Sequence, residues 1–285
     1  PNEYDLSLAL GGGQMSLLEL TGAYAVLANR GIKTDHPAIL DVRNADGRLG
    51  VLYQPDATPS LQLLDPRLVW LLSDILSDDD ARALGFGRDS TLKIDRPAAV
   101  KTGTTTNFHD NWTLGYTPDI VIGVWVGNSD YQAMQDVTGL TGAAPIWHET
   151  IRKVLEGKPK LDFARPDGLF QVEVCALSGL LPTEFCPHTR TEWFIAGTEP
   201  TQPDNIYQQV TVDILTGQLV DESTPAERRQ TKIVLDLPIT AQPWARSQGL
   251  PLLADIAQAS EAAQPQIALI SPRPNTSYRL DPAFE

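Results

Sequence analysis

The sequence predicts an α+β fold: an antiparallel sheet covered by helices, followed by a Pro-rich and mostly extended C-terminal region. Three observations predict it. Two early segments repeat apolar residues at helical spacing behind capping signals. After Pro97 the apolar period becomes that of strands. Prolines are unevenly spread, with 8 in residues 1–157 and 14 in the remaining 128.

The first helix starts at Ser16, which with Glu19 forms an S-x-x-E capping box, while Met15 is placed to staple to Leu20. Leu17, Leu20, Tyr24, Leu27 and Ala28 recur at helical spacing, so one face packs on a core, and Gly31 stops the run. A second helix starts at Asp65 with Pro66 at its first position and runs through Leu68, Leu71, Leu72 and Ile75. Residues 85–88, with two glycines, read as a loop. Three strands follow, over residues 98–105, 111–117 and 120–128. Thr117-Pro118-Asp119 is a turn, because proline presets a turn corner and aspartate bonds local backbone, so the last two strands form an antiparallel hairpin. The third strand is apolar on both faces and is expected to be central or covered by helices. Residues 145–155 close this part as a helix through Ile146, Ile151, Val154 and Leu155.

Composition narrows function. The chain has 285 residues, 36 acidic against 22 basic side chains and a formal charge of −14. Such a surface repels phosphate backbones and anionic lipid heads, so no nucleic-acid partner is expected. The longest apolar stretch, residues 120–127, is less than half the roughly 20 residues a spanning helix needs. The chain opens at Pro1, and any targeting segment is expected outside it. Cys175 and Cys186, with His188 close by, leave three readings open: a disulfide across a hairpin, two free thiols, or a zinc site lacking an obvious fourth ligand.

Chemistry concentrates in Lys101-Thr102-Gly103-Thr104-Thr105, directly after the apolar Ala98-Ala99-Val100. Thr102 and Thr104 project to one face of the strand, Gly103 permits close backbone approach, and Lys101 supplies positive charge; together they suit an anionic carboxylate. The letters K-T-G alone arise by chance in roughly one chain of this size in twenty. A phosphate loop is excluded by order, since there glycine precedes lysine and opens a helix. Asn111 and Thr113 fall on the next strand, and His109 and Asp110 on the intervening loop. Ser90-Thr91-Leu92-Lys93 matches S-x-x-K, but random sequence supplies about one such match and this one sits 8 residues before Lys101. His36, His148 and His188 read as turn or surface residues, and Trp112 and Trp125 as core or cleft wall.

Leu6-Ser7-Leu8-Ala9-Leu10-Gly11-Gly12, the K-T-G-T-T strand, Asp110-Asn111-Trp112-Thr113-Leu114-Gly115-Tyr116-Thr117-Pro118 and Val124-Trp125-Val126-Gly127-Asn128 together resemble bifunctional class A penicillin-binding proteins. The likeness is dense over residues 4–157. It continues more loosely through Val172-Glu173-Val174-Cys175, Ser178-Gly179-Leu180-Leu181-Pro182 and Phe194-Ile195-Ala196-Gly197-Thr198-Glu199-Pro200; from Ile270-Ser271-Pro272 it looks like the start of a small β-domain.

The resemblance implies an incomplete transpeptidase fold of the serine β-lactamase type over residues 1–158, a β-rich extension over 159–225, and a linker with the start of a small β-domain over 226–285. It implies peptidoglycan stem peptides as substrates, β-lactams as inhibitors and no cofactor or metal. In this frame Lys101 serves the proton-shuttling network and the substrate carboxylate, Thr102 and Thr104 hydroxyls bind that carboxylate beside Gly103, and the Thr104 N–H is an oxyanion donor. The family's motifs run S-x-x-K, S-x-N, K-T-G; this chain has no S-x-N and its S-x-x-K is misplaced. The nucleophile, its lysine, a glycosyltransferase domain and an inner-membrane anchor are therefore expected upstream, in an extracytoplasmic or periplasmic parent, and the chain alone is expected not to acylate. Without the nucleophile-bearing helix one sheet face would be uncovered, so the chain is expected to be unstable in isolation. The competing functions are a D,D-carboxypeptidase or β-lactamase-like acyl hydrolase and a non-catalytic wall-binding scaffold.

Overall fold

The computed structural model describes residue 8, residues 11–34 and residues 60–256. His36, the linker read at residues 258–266, the segment from Ile270 onward, and Leu6, Ser7, Ala9 and Leu10 lie outside the described residues. The chain forms two compact units. The first comprises residues 1–170 with 193–197, the second residues 171–192 and 198–285.

In the first unit, helix α1 (Leu17–Ala28) begins with the expected capping box, Ser16 and Glu19 satisfying each other's backbone N–H groups. Its side chains are at most half-buried and Met15 is exposed. A short ladder joins β1 (Ile32–Lys33) to β2 (Leu61–Gln62). Helix α2 (Pro66–Ser77) is capped by the Asp65 carboxylate, which accepts from the Arg67 N–H at 2.8 Å. A further helix, α3 (Asp79–Phe86), was not expected: Asp78 caps it, and Gly85 and Phe86, read as loop from the sequence, form its last turn before Gly87 ends it with φ +81. Gly85 inside it, Gly87 after it and a run of aspartates hide a helix whose first turn those aspartates suit electrostatically.

The sheet is antiparallel throughout, with β3 (Ala99–Thr104), β4 (Asp110–Thr117) and β5 (Ile120–Gly127) in the order β3-β4-β5. Of the two alternatives read for the third strand, central or covered by helices, the second holds: β4 is central, and among the described residues an edge of this sheet is β5. Its two-faced apolarity comes from helices on both sides, α1 and α4 (Ala143–Leu155). The core joins Leu92, Ala98 and Val100 to Ala144, Trp147, Ile151 and Leu155 of α4, with Ile120, Ile122 and Val124 packed against it. On the opposite face Tyr116 meets Tyr24 of α1 edge-on at 6.2 Å, and its hydroxyl lies 2.8 Å from Ser73 Oγ of α2.

The polypeptide continues through β6 (Leu169–Cys175) and β7 (Thr189–Ile195), which pair. In the second unit Cys175 and Cys186 are joined as a disulfide. There β8 (Tyr207–Asp213) pairs antiparallel with β9 (Arg229–Leu235), and α5 (Gln242–Ser247) closes a small core of Leu235, Leu237, Ala245 and Leu252. Arg228 pairs with Asp213 beside this ladder.

Candidate active site

The register of the β3–β4 ladder sets the faces on which the candidate residues stand. Thr102 is opposite Thr113, Thr104 opposite Asn111, Lys101 opposite Leu114 and Gly103 opposite Trp112. Side chains alternate along a strand, so Thr102 and Thr104 share one face with Asn111 and Thr113, while Lys101 belongs to the other face, on the side of α1 and α2. The two faces meet at the outer edge of β3, which pairs with no strand among the described residues.

Backbone groups alternate as well. The Thr105 N–H donates to Asp110 O at 3.0 Å, so Thr105 faces β4 and the backbone groups of Thr104 and Thr102 turn outward to the open edge. Lys101 Nζ reaches the outward Thr102 carbonyl at 2.6 Å, bridging the two faces across this edge. Lys101 and Thr104 are exposed and Thr102 is half-buried. Among the described residues Lys101 has no carboxylate partner.

The threonine face is built from beneath by two fully buried polar side chains. Thr113 Oγ1 donates to Gly139 O at 3.0 Å and Asn111 Nδ2 donates to Val137 O at 2.7 Å. Gly139 N–H in turn donates to Thr104 Oγ1 at 2.9 Å. A Cβ on Gly139 would stand 2.6 Å from Gly103 O and 2.7 Å from Trp112 O, so only glycine lets this segment lie on the ladder. Sequence reasoning missed the segment. The glycine pair in Thr138-Gly139-Leu140-Thr141-Gly142, directly before a helix, was the available signal.

The other candidates are not drawn together. Ser90 lies in a turn after α3, where its hydroxyl accepts from the Leu92 N–H at 3.2 Å. No helix brings Lys93 back over it, as an S-x-x-K site requires. His109 stacks on Tyr131 at 4.4 Å and its Nδ1 lies 2.8 Å from Tyr131 O. His148 Nδ1 lies 2.8 Å from Thr91 O on the surface of α4, and His188 is exposed. Trp125 Nε1 donates to Asp110 Oδ1 at 2.9 Å, fixing the end of the hairpin. A depression of about 440 Å³ lies at the C-terminal end of α4, lined by Asp95, Arg96, Glu149, Arg152, Lys153 and Glu156, and shares no residue with β3. Arg96 there binds Asp95 and the Pro159 carbonyl, which accounts for its charge structurally. Among the described residues no cluster of His, Cys, Asp and Glu is placed to hold a metal, and no helix is long and apolar enough to cross a membrane.

The open edge of β3 thus carries a lysine, two same-face threonines and an outward backbone N–H, a set of donors able to hold an anionic carboxylate. Comparison with known proteins shows what the chain is similar to. A family model described as the penicillin-binding protein 1A C-terminal domain matches residues 165–209. Penicillin-binding protein 1A of Clostridium novyi (strain NT) is 27% identical over 222 residues, 76% of this chain and 25% of the relative. Penicillin-binding protein 1A of Neisseria lactamica is 32% identical over 167 residues, 58% of this chain and 21% of the relative. Penicillin-binding protein 2D of Bacillus subtilis (strain 168) is 30% identical over 199 residues, 68% of this chain and 28% of the relative. The crystal structure of penicillin-binding protein 1A from Haemophilus influenzae matches with a TM-score of 0.60 at 23% identity, over 70% of this chain and 35% of that one, and this shows the shared fold. The chain thus spans about a quarter of the length of the curated relatives it matches. Together these matches support a fragment of a class A penicillin-binding protein.

Proposed function

We propose that this chain supplies the carboxylate-recognition edge of a serine D,D-transpeptidase that cross-links peptidoglycan stem peptides. The observation that carries the reading is the edge of β3, where the Thr104 hydroxyl accepts from Gly139 N–H and its own proton remains for an incoming acceptor. A hydroxyl that accepts from a backbone N–H on one lone pair keeps its single proton to donate to an incoming acceptor.

In this reading an extended stem peptide lies along β3, adding to the open edge as a further strand. Thr102 and Thr104 hydroxyls bind its terminal carboxylate and Lys101 provides the opposing positive charge. A serine outside this chain attacks the penultimate D-Ala carbonyl, whose oxygen becomes an anion held in part by the outward Thr104 N–H. Lys101 favours the proton transfers that accompany attack by placing a cation beside them. Terminal D-Ala leaves, and a neighbouring amine takes the acyl group from the serine. β-Lactams carry a carboxylate beside a strained amide and occupy the same edge. The parent protein is extracytoplasmic, anchored in the inner membrane, and carries a glycosyltransferase domain as well.

Fluorescent penicillin tests the reading. Covalent labelling is expected in the longer protein that contains this chain and its nucleophile, and none in residues 1–285 alone. Labelling of Ser90 in residues 1–285 would overturn the assignment of the nucleophile, and an unlabelled longer protein would overturn the transpeptidase reading.

A further inference from the structure

We infer that residues 137–139 are a positioning clamp for the Thr104 hydroxyl, and that Thr113 is the positioning residue acting through it. The inference rests on the carboxylate-binding role proposed for Thr104 and deepens it.

Thr104 is exposed at a sheet edge, where a hydroxyl ordinarily turns freely among solvent partners. Here it does not, because Gly139 N–H donates to its oxygen at 2.9 Å. Gly139 is itself held from both sides. Its carbonyl accepts from Thr113 Oγ1 at 3.0 Å and from the Ala144 N–H of α4 at 2.9 Å. Two residues earlier, Val137 O accepts from Asn111 Nδ2 at 2.7 Å. Asn111 and Thr113 are completely buried, on the strand face shared with Thr102 and Thr104. A buried hydroxyl is costly unless hydrogen-bonded, and the Thr113 proton has one function here, the bond to Gly139 O, which valine could not supply. That function is to fix Gly139, and through Gly139 N–H to turn the Thr104 proton toward the carboxylate.

The consequence is specific to charge recognition. Loss of the Thr113 hydroxyl should loosen Gly139, free the Thr104 hydroxyl to rotate and weaken binding of an anionic group. A neutral ligand of the same shape should be much less affected. A general loss of packing would slow both alike.

The test compares acylation of the longer protein by benzylpenicillin and by its methyl ester, for the native protein, Thr113→Val and Thr113→Ser. In Thr113→Val the preference for acid over ester should fall about tenfold, the worth of one hydrogen bond to a charged group, and Thr113→Ser should restore it. Acid and ester slowed by the same factor, or neither slowed, would overturn the clamp while leaving the transpeptidase reading intact. No acylation of the native protein would overturn that reading and the clamp together. Should Thr113→Val fail to fold, hydrogen exchange of the peptide containing Gly139 gives a second measurement in Thr104→Val, an exposed substitution. Faster exchange there supports the clamp, and unchanged exchange overturns it.

Discussion

Trp147 fills the space in which Gly115 would carry a side chain: a Cβ there would stand 2.5 Å from Trp147 Cζ2. Helix α4 therefore sits as low on the sheet as a backbone surface allows, and this closeness brings the preceding segment, residues 137–142, down onto the threonine face. Gly115→Ala should push the indole away and cost about 1–3 kcal/mol, the usual penalty of overpacking. Denaturant titration of the longer protein checks this, and an unchanged midpoint would contradict the packing described.

Tyr116 is completely buried, and burial raises its phenol above the ordinary value against a smaller opposing effect of the Ser73 hydrogen bond; burial raises Tyr24 likewise. Their folded values exceed the unfolded ones, so this stability is whole below about pH 10 and is lost as pH rises through the folded values. Tyr116→Phe should flatten the alkaline limb of a stability-against-pH curve. At neutral pH it should cost about 1 kcal/mol, for the lost bond to Ser73.

Asp65 behaves in the opposite sense. Hydrogen bonds from the Arg67 guanidinium, and then from its N–H, hold the Asp65 carboxyl at about 2. A depressed folded value gives stability that is complete above the unfolded value near pH 4 and disappears as pH falls toward 2. Asp65→Ala should lower the melting temperature at pH 7 and lose that difference below pH 2, as differential scanning calorimetry would register.

Cys175 and Cys186 enclose a short loop of the second unit, at a sequence separation of 11. Intact mass of the unreduced protein should be two hydrogens lighter than after reduction. Cys175→Ser with Cys186→Ser should destabilise by about 3 kcal/mol, the chain-entropy value for a loop of this size.

Much of the first unit was legible because its signals are local. Ser16 with Glu19, Asp65 with Pro66, and Thr117-Pro118-Asp119 each fix an element boundary through neighbouring residues alone. What escaped depends on contacts distant in sequence. The central position of β4 follows from which strands pair, and two strands with helices on both faces carry the same apolar pattern. Helix α3 is short and glycine-containing, so propensity argued against it until Asp78 and the aspartates of its first turn were seen to cap it. At the site, the alternation of Thr102 and Thr104 was readable from strand period. The support from Gly139 was not, since 35 residues separate it from Thr104.

The most direct test of the carboxylate edge is the second-order rate of acylation by benzylpenicillin in the longer protein with Lys101→Met, compared with native. A loss of the cation at this edge should slow acylation about 100-fold or more, with the protein still folded by circular dichroism. An unchanged rate in the folded variant would contradict the account.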